Sequence, residues 1–282
     1  MIIEIKLTHY CNLNCSYCVS MHSSDKTLCE KEQFDLEGFI NFLDEFQCTG
    51  THPRFKEIKF FIFGGEPSTS KDLIPLVNYL NKLVDSNNII IQTNLTNLST
   101  LKKINCLINI SWHPEFISFK ELINRLNKLP QERINEIAFM DVDDKYYKYY
   151  NILKKLYKVE FCPIIEDIVH YDGRWLKRLK ELKNKDIFKV IQNDEHFHKF
   201  KSNKSNYDYW VNEEHSIGKK CFINYEVLFI SNNKVYECFN DMFFNINGIN
   251  LRDYEYIPKI KICPHQRCFF DMRYQEENYE KN

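Results

Sequence analysis

Residues 2–18 read IIEIKLTHYCNLNCSYC, an isoleucine-rich segment that runs directly into three cysteines. The isoleucines predict a buried β-strand over 2–7. Cys11, Cys15 and Cys18 follow at the spacing C-x3-C-x2-C and supply three thiols without a fourth beside them. A structural zinc ion takes four ligands, whereas a cubane iron–sulfur cluster held by three thiolates keeps one iron open for another ligand. The loop therefore predicts a cluster with an open position.

A zinc site that His9 or His22 completes is the alternative that the spacing leaves open. The chain has 11 cysteines among 282 residues, and the odd number argues against a complete set of disulfides. In a reducing compartment, a high cysteine content is typical of metal binding or catalysis. We therefore expect metal ligands among these cysteines.

Strands and helices are predicted to alternate through the first two thirds of the chain. The predicted strands cover 2–7, 58–63, 89–92, 106–111, 134–140 and 159–164. Helices are predicted over 33–46 and 73–84, in a short stretch at 97–103, and around 122, 150 and 179. Such alternation implies right-handed crossovers and a parallel sheet, in an α/β fold that is either doubly wound or a barrel. In both arrangements the functional groups lie at the carboxyl ends of the strands.

Polar residues follow several of these strands at the same edge. Gly64-Gly65-Glu66-Pro67 comes directly after the second strand, Asn94 after the third, and Ser111 ends the fourth. We expect these groups to converge with the cysteine loop, although they are far apart in sequence.

CNLNCSYC at 11–18 resembles the cluster-binding loop of the radical S-adenosylmethionine superfamily, including the aromatic Tyr17 before the third cysteine. Phe63-Gly64-Gly65-Glu66-Pro67 is similar to the second mark of that superfamily. The resemblance covers residues 2 to about 165 and implies a partial (β/α)6 TIM-like barrel. It also implies a [4Fe–4S] cluster on the three cysteines, whose open iron binds S-adenosylmethionine. Reductive cleavage would then yield a 5′-deoxyadenosyl radical that abstracts hydrogen from a substrate.

The resemblance implies cofactor-binding roles beyond the cysteines. Tyr17 belongs to the motif, the glycines let the backbone approach the methionine moiety, and Glu66 accepts a hydrogen bond from its amino group. Asn94 and Ser111 are candidates for the carboxylate or the ribose hydroxyls. A turn residue at Asn94 and a helix cap at Ser111 are the structural alternatives.

A second group of cysteines follows the predicted barrel, at Cys221, Cys238, Cys263 and Cys268. Segments 225–230 and 235–239 flank Ser231-Asn232-Asn233-Lys234 and predict a β-hairpin between the first two of them. This region is similar to the auxiliary-cluster extensions called SPASM and twitch domains, and it implies one auxiliary [4Fe–4S] cluster. A structural zinc site is the alternative, and His265 is a candidate to replace one thiolate.

The expected domains are a radical S-adenosylmethionine barrel over 1–190, a linker or substrate-facing loop over 191–219, and a small cysteine-rich auxiliary domain over 220–282. Cys162, at the end of the sixth strand, is a candidate hydrogen-atom donor, with a buried apolar role as the alternative. His113-Pro114-Glu115, after the fourth strand, is predicted to contact substrate or to form a turn.

The expected function is hydrogen abstraction from a peptide, in a maturase-type modification. A sugar or nucleotide-type small molecule is the alternative substrate, and a non-catalytic zinc or iron–sulfur binding protein is the alternative class. An electron donor such as flavodoxin or ferredoxin is the expected partner. The net charge of −1 gives no indication of nucleic acid or an anionic membrane as partner. Without a transmembrane run or a signal peptide in the sequence, we expect a cytoplasmic protein.

Overall fold

The computed structural model describes residues 1–18, 34–48, 57–164, 174–194, 197–199, 203–212, 216–256, 259–264 and 274–275. The strands are β1 (Ile2–Thr8), β2 (Lys59–Gly64), β3 (Ile89–Thr93), β4 (Leu107–Trp112), β5 (Ile134–Met140), β6 (Val159–Cys162), β7 (Lys220–Cys221), β8 (Val227–Ser231), β9 (Lys234–Tyr236), β10 (Ile249–Asn250) and β11 (Lys261–Ile262). The helices are α1 (Leu36–Cys48), α2 (Leu73–Leu80), α3 (Leu98–Leu101), α4 (Phe119–Leu126), α5 (Tyr147–Leu153), α6 (Arg174–Glu181), α7 (Phe188–Ile191), α8 (Asn206–Val211) and α9 (Phe239–Phe244). All six predicted barrel strands form, with ends within two residues of the prediction.

The main sheet has nine strands in the order β10-β9-β8-β1-β2-β3-β4-β5-β6. Strands β1 to β6 are parallel and neighbour one another in sequence order. In a doubly wound sheet the strand order reverses at a switch point, so the helices lie on both faces. Crossovers that all lead to the next strand in the same direction leave their helices on one face of the sheet. The strand order therefore confirms the partial TIM-like barrel and excludes the doubly wound alternative.

The apolar core lies between this sheet and its helices. Along each strand, every second side chain is fully buried in it, as at Ile3, Ile5, Ile62, Ile91, Ile110 and Phe139. Because side chains alternate between the two faces of a strand, the residues between them face the concave interior of the barrel. Glu4, Gln92, Asn109, Ser111 and Cys162 occupy such alternate positions. The interior therefore carries polar groups at these positions, beside an apolar cluster that includes Phe63 and Phe229.

The predicted hairpin forms from β8 and β9, and it extends the barrel sheet. Strand β8 runs parallel to β1, with Glu4 opposite Phe229. Both central turn residues, Asn232 and Asn233, have positive φ, at 50° and 60°. Two such residues make a type I′ turn, which matches the twist of a hairpin and suits asparagine in the absence of glycine. The sequence placed the hairpin in a separate domain, whereas its strands continue the barrel sheet.

Part of the predicted linker over 191–219 is helical and packs onto the barrel. Helix α8 begins with a capping box, in which the Ser205 side chain accepts from the backbone N–H of Asp208 and the Asp208 carboxylate accepts from that of Ser205. Tyr207 lies in the main core and donates to the carbonyl of Leu179 at 2.7 Å. The prediction of an irregular linker was therefore wrong for Asn206–Val211. A helix of six residues is too short to show a detectable period of apolar residues.

The outer edge of the sheet, β6, is capped by a buried carboxylate. Asp194 accepts from the backbone N–H of Phe161 at 3.1 Å and from the ammonium of Lys154 at 2.8 Å. The hydroxyl of Tyr150 also donates to it. These bonds satisfy an edge amide that would otherwise be open to another strand.

No helix among the described segments is long and apolar enough to cross a bilayer.

Candidate active site

The two sequence motifs meet at the carboxyl ends of β1 and β2. The backbone N–H of Gly65 donates to the carbonyl of Thr8 at 2.7 Å, and that of Glu66 donates to the carbonyl of Tyr10 at 2.8 Å. A Cβ on Gly64, whose φ is +145°, would lie 2.3 Å from the Thr8 carbonyl oxygen, and one on Gly65 would lie 2.0 Å from that of Tyr10. Both glycines are thus required for the approach of the backbone that leads into the cysteine loop. The approach of these glycines to the methionine moiety, which the resemblance implied, stays a prediction.

Glu66 joins the ends of β2 and β3. Its Oε1 accepts from the backbone N–H of Ser68 at 3.0 Å and from the Thr93 hydroxyl at 2.6 Å, and its Oε2 accepts from the backbone N–H of Asn94 at 2.6 Å. Burial raises the pKa of Glu66, and these hydrogen bonds oppose the rise. A carboxylate offers about four acceptor positions, so one position on Oε2 remains for a further donor.

Asn94 holds the cysteine loop and also forms a turn. Its Nδ2 donates to Asn12 Oδ1 at 3.0 Å and lies 3.8 Å from Cys11 Sγ, while its Oδ1 accepts from the backbone N–H of Thr96 at 3.1 Å. The last bond is an Asx turn, the structural alternative that the sequence left open. The sequence placed Thr93 after the third strand, at the edge where functional groups were expected, but assigned no role to it or to Asn12.

Ser111 lies within β4 and does not cap a helix. Its hydroxyl accepts from Gln92 Nε2 at 2.5 Å across the concave face. The cap of the following helix α4 is Ser118, whose hydroxyl accepts from the backbone N–H of Glu121 at 3.2 Å. The alternative that Ser111 caps a helix was therefore wrong, because the cap lies seven residues later in the sequence. Ser111 faces the barrel interior.

The three thiols of the first loop lie close enough to affect one another electrostatically. Burial, with a smaller contribution from negative charge on Cys18, raises the pKa of Cys11 to about 11 and that of Cys15 to about 12. Cys11 Sγ accepts from the backbone N–H of Leu13 at 3.4 Å. Within the described segments, no three His, Cys, Asp or Glu side chains are placed to hold a single metal ion.

Of the two histidines that could complete a zinc site at the first loop, His9 is described by the structure. His9 Nε2 lies 3.0 Å from Asn232 Oδ1, in the turn of the hairpin. His22 lies outside the described residues. The bond to Asn232 connects the end of β1 with the β8–β9 turn.

The turn after β4 contacts the cysteine loop. His113 Nδ1 lies 2.8 Å from Tyr17 Oη and 3.4 Å from Cys15 Sγ, and the two rings stack with an interplanar angle of 17°. The Ser16 hydroxyl donates to Glu115 at 3.0 Å. Burial lowers the pKa of His113 to about 4, so the imidazole is neutral at physiological pH. The sequence predicted substrate contact or a turn for this segment, and its observed contacts are with the cysteine loop.

The concave interior carries a second titratable group. Glu4 lies opposite Phe61 on β2 and Phe229 on β8. Burial raises the pKa of Glu4 to about 8. Cys162 ends β6, as the sequence predicted, and is partly buried at an alternate position that faces the same interior.

Three of the four C-terminal cysteines are described and lie near one another. Cys221 is in β7, which pairs antiparallel with β11, and Cys263 follows directly after β11. Burial, with a small contribution from charge on Cys221, raises the pKa of Cys238 to about 12. Burial, with a contribution from charge on Cys263, also raises the pKa of Cys221. Cys268 and its proposed substitute His265 lie outside the described residues.

No protein-family model and no curated protein matches the sequence. Solved structures do match its fold. SuiB of Streptococcus suis bound to S-adenosylmethionine aligns over 90% of this chain and 64% of its own, with a TM-score of 0.55 and 16% identity. Native anSMEcpe with bound S-adenosylmethionine aligns over 90% of this chain and 78% of its own, with a TM-score of 0.53 and 16% identity. SuiB bound to the precursor peptide SuiA aligns less well, over 91% of this chain and 63% of its own, with a TM-score of 0.43 and 13% identity.

The present chain spans about two thirds of the length of SuiB. Its two better-matching neighbours are radical S-adenosylmethionine enzymes, and each was solved with that molecule bound. At 16% identity the likeness concerns the course of the backbone. The chain therefore shares the fold of the radical S-adenosylmethionine superfamily.

Proposed function

We propose that this chain is a radical S-adenosylmethionine enzyme. The observation that carries the proposal is the junction of the two motifs. The backbone N–H groups of Gly65 and Glu66 donate to the carbonyls of Thr8 and Tyr10, and this places the Gly-Gly-Glu-Pro run beside the three-cysteine loop. The junction lies at the carboxyl ends of parallel strands, where barrel enzymes place their chemistry.

We assign Cys11, Cys15 and Cys18 as the ligands of a [4Fe–4S] cluster. The donor set suits this group, because three neighbouring thiols supply three irons and leave one open. The hydrogen bond that Cys11 Sγ accepts from Leu13, and the Asn94 amide near the same sulfur, are the contacts that a thiolate ligand requires. S-adenosylmethionine bound at the open iron supplies, on reduction, methionine and a 5′-deoxyadenosyl radical that abstracts hydrogen from a substrate.

The protein groups around the loop would orient that molecule. Glu66 has one acceptor position left on Oε2, which suits the amino group of the methionine moiety. Asn94 is occupied by its bonds to Asn12 and Thr96, so its role is to hold the loop and present Glu66 through its backbone. Ser111 and Gln92 form a polar pair on the concave face and are the better candidates for the carboxylate or ribose hydroxyls.

We propose an auxiliary [4Fe–4S] cluster on Cys221, Cys238, Cys263 and Cys268, with the alternatives of zinc and of His265 in place of one thiolate. The charge effects of Cys263 on Cys221 and of Cys221 on Cys238 support a common site. Flavodoxin or ferredoxin is the proposed electron donor.

The proposed domain boundaries lie at residues 190 and 219. The β8–β9 hairpin follows the second boundary in sequence, but it belongs to the sheet of the barrel. The proposed location of the protein is the cytoplasm.

A peptide is the proposed substrate, in a maturase-type modification. SuiB, a structural neighbour, is a protein that binds a precursor peptide. The polar pair of Gln92 and Ser111 on the concave face supports a substrate that forms hydrogen bonds. A sugar or nucleotide also forms them, so the small-molecule alternative stays in the test. Cys162 faces this interior at the end of β6 and is the proposed hydrogen-atom donor.

The experiment is anaerobic reconstitution of the full chain with iron and sulfide, followed by incubation with S-adenosylmethionine and dithionite. We expect 5′-deoxyadenosine and methionine, measured by mass spectrometry. Cys15→Ala should abolish both products. Cys106→Ala is the matched control, because Cys106 is buried in the core away from the cysteine loop, and it should retain them.

Absence of iron from the reconstituted protein would refute the proposal and favour the non-catalytic zinc alternative, which elemental analysis detects. A deuterated substrate candidate identifies the substrate class, because abstraction transfers deuterium into 5′-deoxyadenosine. Transfer from a peptide supports the maturase proposal, and transfer from a sugar or nucleotide supports the alternative.

A further inference from the structure

The imidazole of His113 contacts two side chains of the cysteine loop. His113 Nδ1 lies 3.4 Å from Cys15 Sγ and 2.8 Å from Tyr17 Oη. The rings of His113 and Tyr17 stack with an interplanar angle of 17°. One imidazole nitrogen therefore contacts both the sulfur and a hydroxyl of the same loop.

The position of His113 is fixed by the turn that it begins. Its carbonyl accepts from the backbone N–H groups of Phe116 and Ile117, both at 3.0 Å. The indole of Trp112, which is buried in the core, donates to the carbonyl of Ile117 at 2.8 Å. The turn is thus anchored to the core on one side, and Glu115 holds Ser16 of the cysteine loop on the other. The contact with Cys15 does not depend on a freely rotating side chain.

The chemistry of a metal-bound thiolate determines what these neighbours do. A thiolate only accepts hydrogen bonds, so a lone pair of Nδ1 directed at it would be repelled. The N–H tautomer at Nδ1 is therefore favoured, and the same N–H also lies within hydrogen-bond distance of the Tyr17 hydroxyl oxygen. Hydrogen bonds to the sulfurs of a cluster stabilise the negative charge that reduction adds, and this raises the reduction potential.

We propose that His113 is a positioning residue that donates a hydrogen bond from Nδ1 to the Cys15 thiolate and raises the reduction potential of the cluster at the first loop. The inference rests on the proposed function, because it presupposes that cluster. It assigns the turn after β4 to electron transfer rather than to substrate binding.

The test is an anaerobic redox titration of the reconstituted full chain, followed by electron paramagnetic resonance. The signal that changes on addition of S-adenosylmethionine identifies the cluster at the first loop. His113→Phe keeps the ring and removes the donor, and Tyr17→Phe removes the hydroxyl alone. For His113→Phe we expect at least a tenfold fall in the equilibrium constant for one-electron reduction, which corresponds to a shift of about 59 mV to lower potential. Tyr17→Phe leaves the His113 donor in place and should not lower the potential.

Two further variants separate the hydrogen bond from a packing effect. His113→Asn returns an N–H donor near the position of Nδ1, and it should restore the wild-type potential. Tyr146→Phe is the matched control, because the Tyr146 hydroxyl donates at 3.4 Å to the carbonyl of Pro114 in the same turn. It should leave the potential unchanged.

An unchanged potential in His113→Phe with a full iron content would overturn the inference and leave the proposed function intact. Loss of iron in His113→Phe that His113→Asn does not repair would also overturn it, since His113 would then be required for folding of the loop. Wild-type protein that binds no iron would overturn the proposed function and this inference together.

Discussion

Glu4 should make the stability of this protein fall as pH rises. Its side chain is 9% exposed and lies between Phe61 and Phe229 on the concave face. Within the described residues it makes no hydrogen bond and no ion pair. Burial raises its pKa from 4.5 to about 8, because the charged carboxylate loses its hydration without gaining a partner. The glutamate is thus neutral in the folded protein at physiological pH.

The sign of the effect follows from proton linkage. Below pH 4.5 the carboxyl is protonated in both the folded and the unfolded chain, so it imposes no penalty. Between pH 4.5 and about 8 the unfolded chain releases this proton and the folded chain retains it, which favours unfolding by about 1.4 kcal/mol for each pH unit. Above about pH 8 the full penalty of ~5 kcal/mol is reached.

Glu4→Gln removes this dependence, because the amide has nearly the same shape and no titratable proton. Urea unfolding at pH 5, 6.5 and 8 measures the free energy of unfolding for both proteins. We expect the wild type to lose about 4 kcal/mol more than Glu4→Gln between pH 5 and pH 8. Glu132→Gln, at an exposed glutamate, is the control and should follow the wild type. Equal pH dependence of the wild type and Glu4→Gln would refute the reasoning and mean that Glu4 is ionised.

Three further outcomes are expected. Gly65→Ala should abolish iron uptake, measured by iron analysis, because its Cβ would lie 2.0 Å from a backbone oxygen. Gly218→Ala should keep the iron, because a Cβ on Gly218 meets no atom within 4 Å. Asp194→Ala should lower the free energy of unfolding by about 3 kcal/mol, measured in urea, because it leaves a buried amide and a buried hydroxyl without their acceptor. A smaller loss than about 1 kcal/mol would contradict the role of Asp194 at the sheet edge. Cys238→Ser should lower the iron content by about four atoms per chain if the auxiliary cluster forms, and unchanged iron would exclude it.

The order and type of the barrel elements could be predicted from sequence, because each depends on a local period of apolar residues. The six strands and the hairpin were found from short apolar segments and their turn residues. Helix α8 was missed, since six residues give too little periodicity and its stability comes from Tyr207 in the core. The alternation of elements left a barrel and a doubly wound sheet both open, because the choice depends on which strands are neighbours, and only the resemblance of the two motifs favoured the barrel.

At the candidate site, the sequence by itself determined which chemical groups lie at the carboxyl ends of the strands, through the spacing of the cysteines and the residues after each apolar segment. Only the tertiary structure decided what those groups touch. The glycines face the backbone of Thr8 and Tyr10, and His113 meets Cys15 across 98 residues of sequence. Such contacts are set by strand register and by the close packing of loops at one edge of the sheet. No local pattern encodes these distances, so they follow only once the strands have paired.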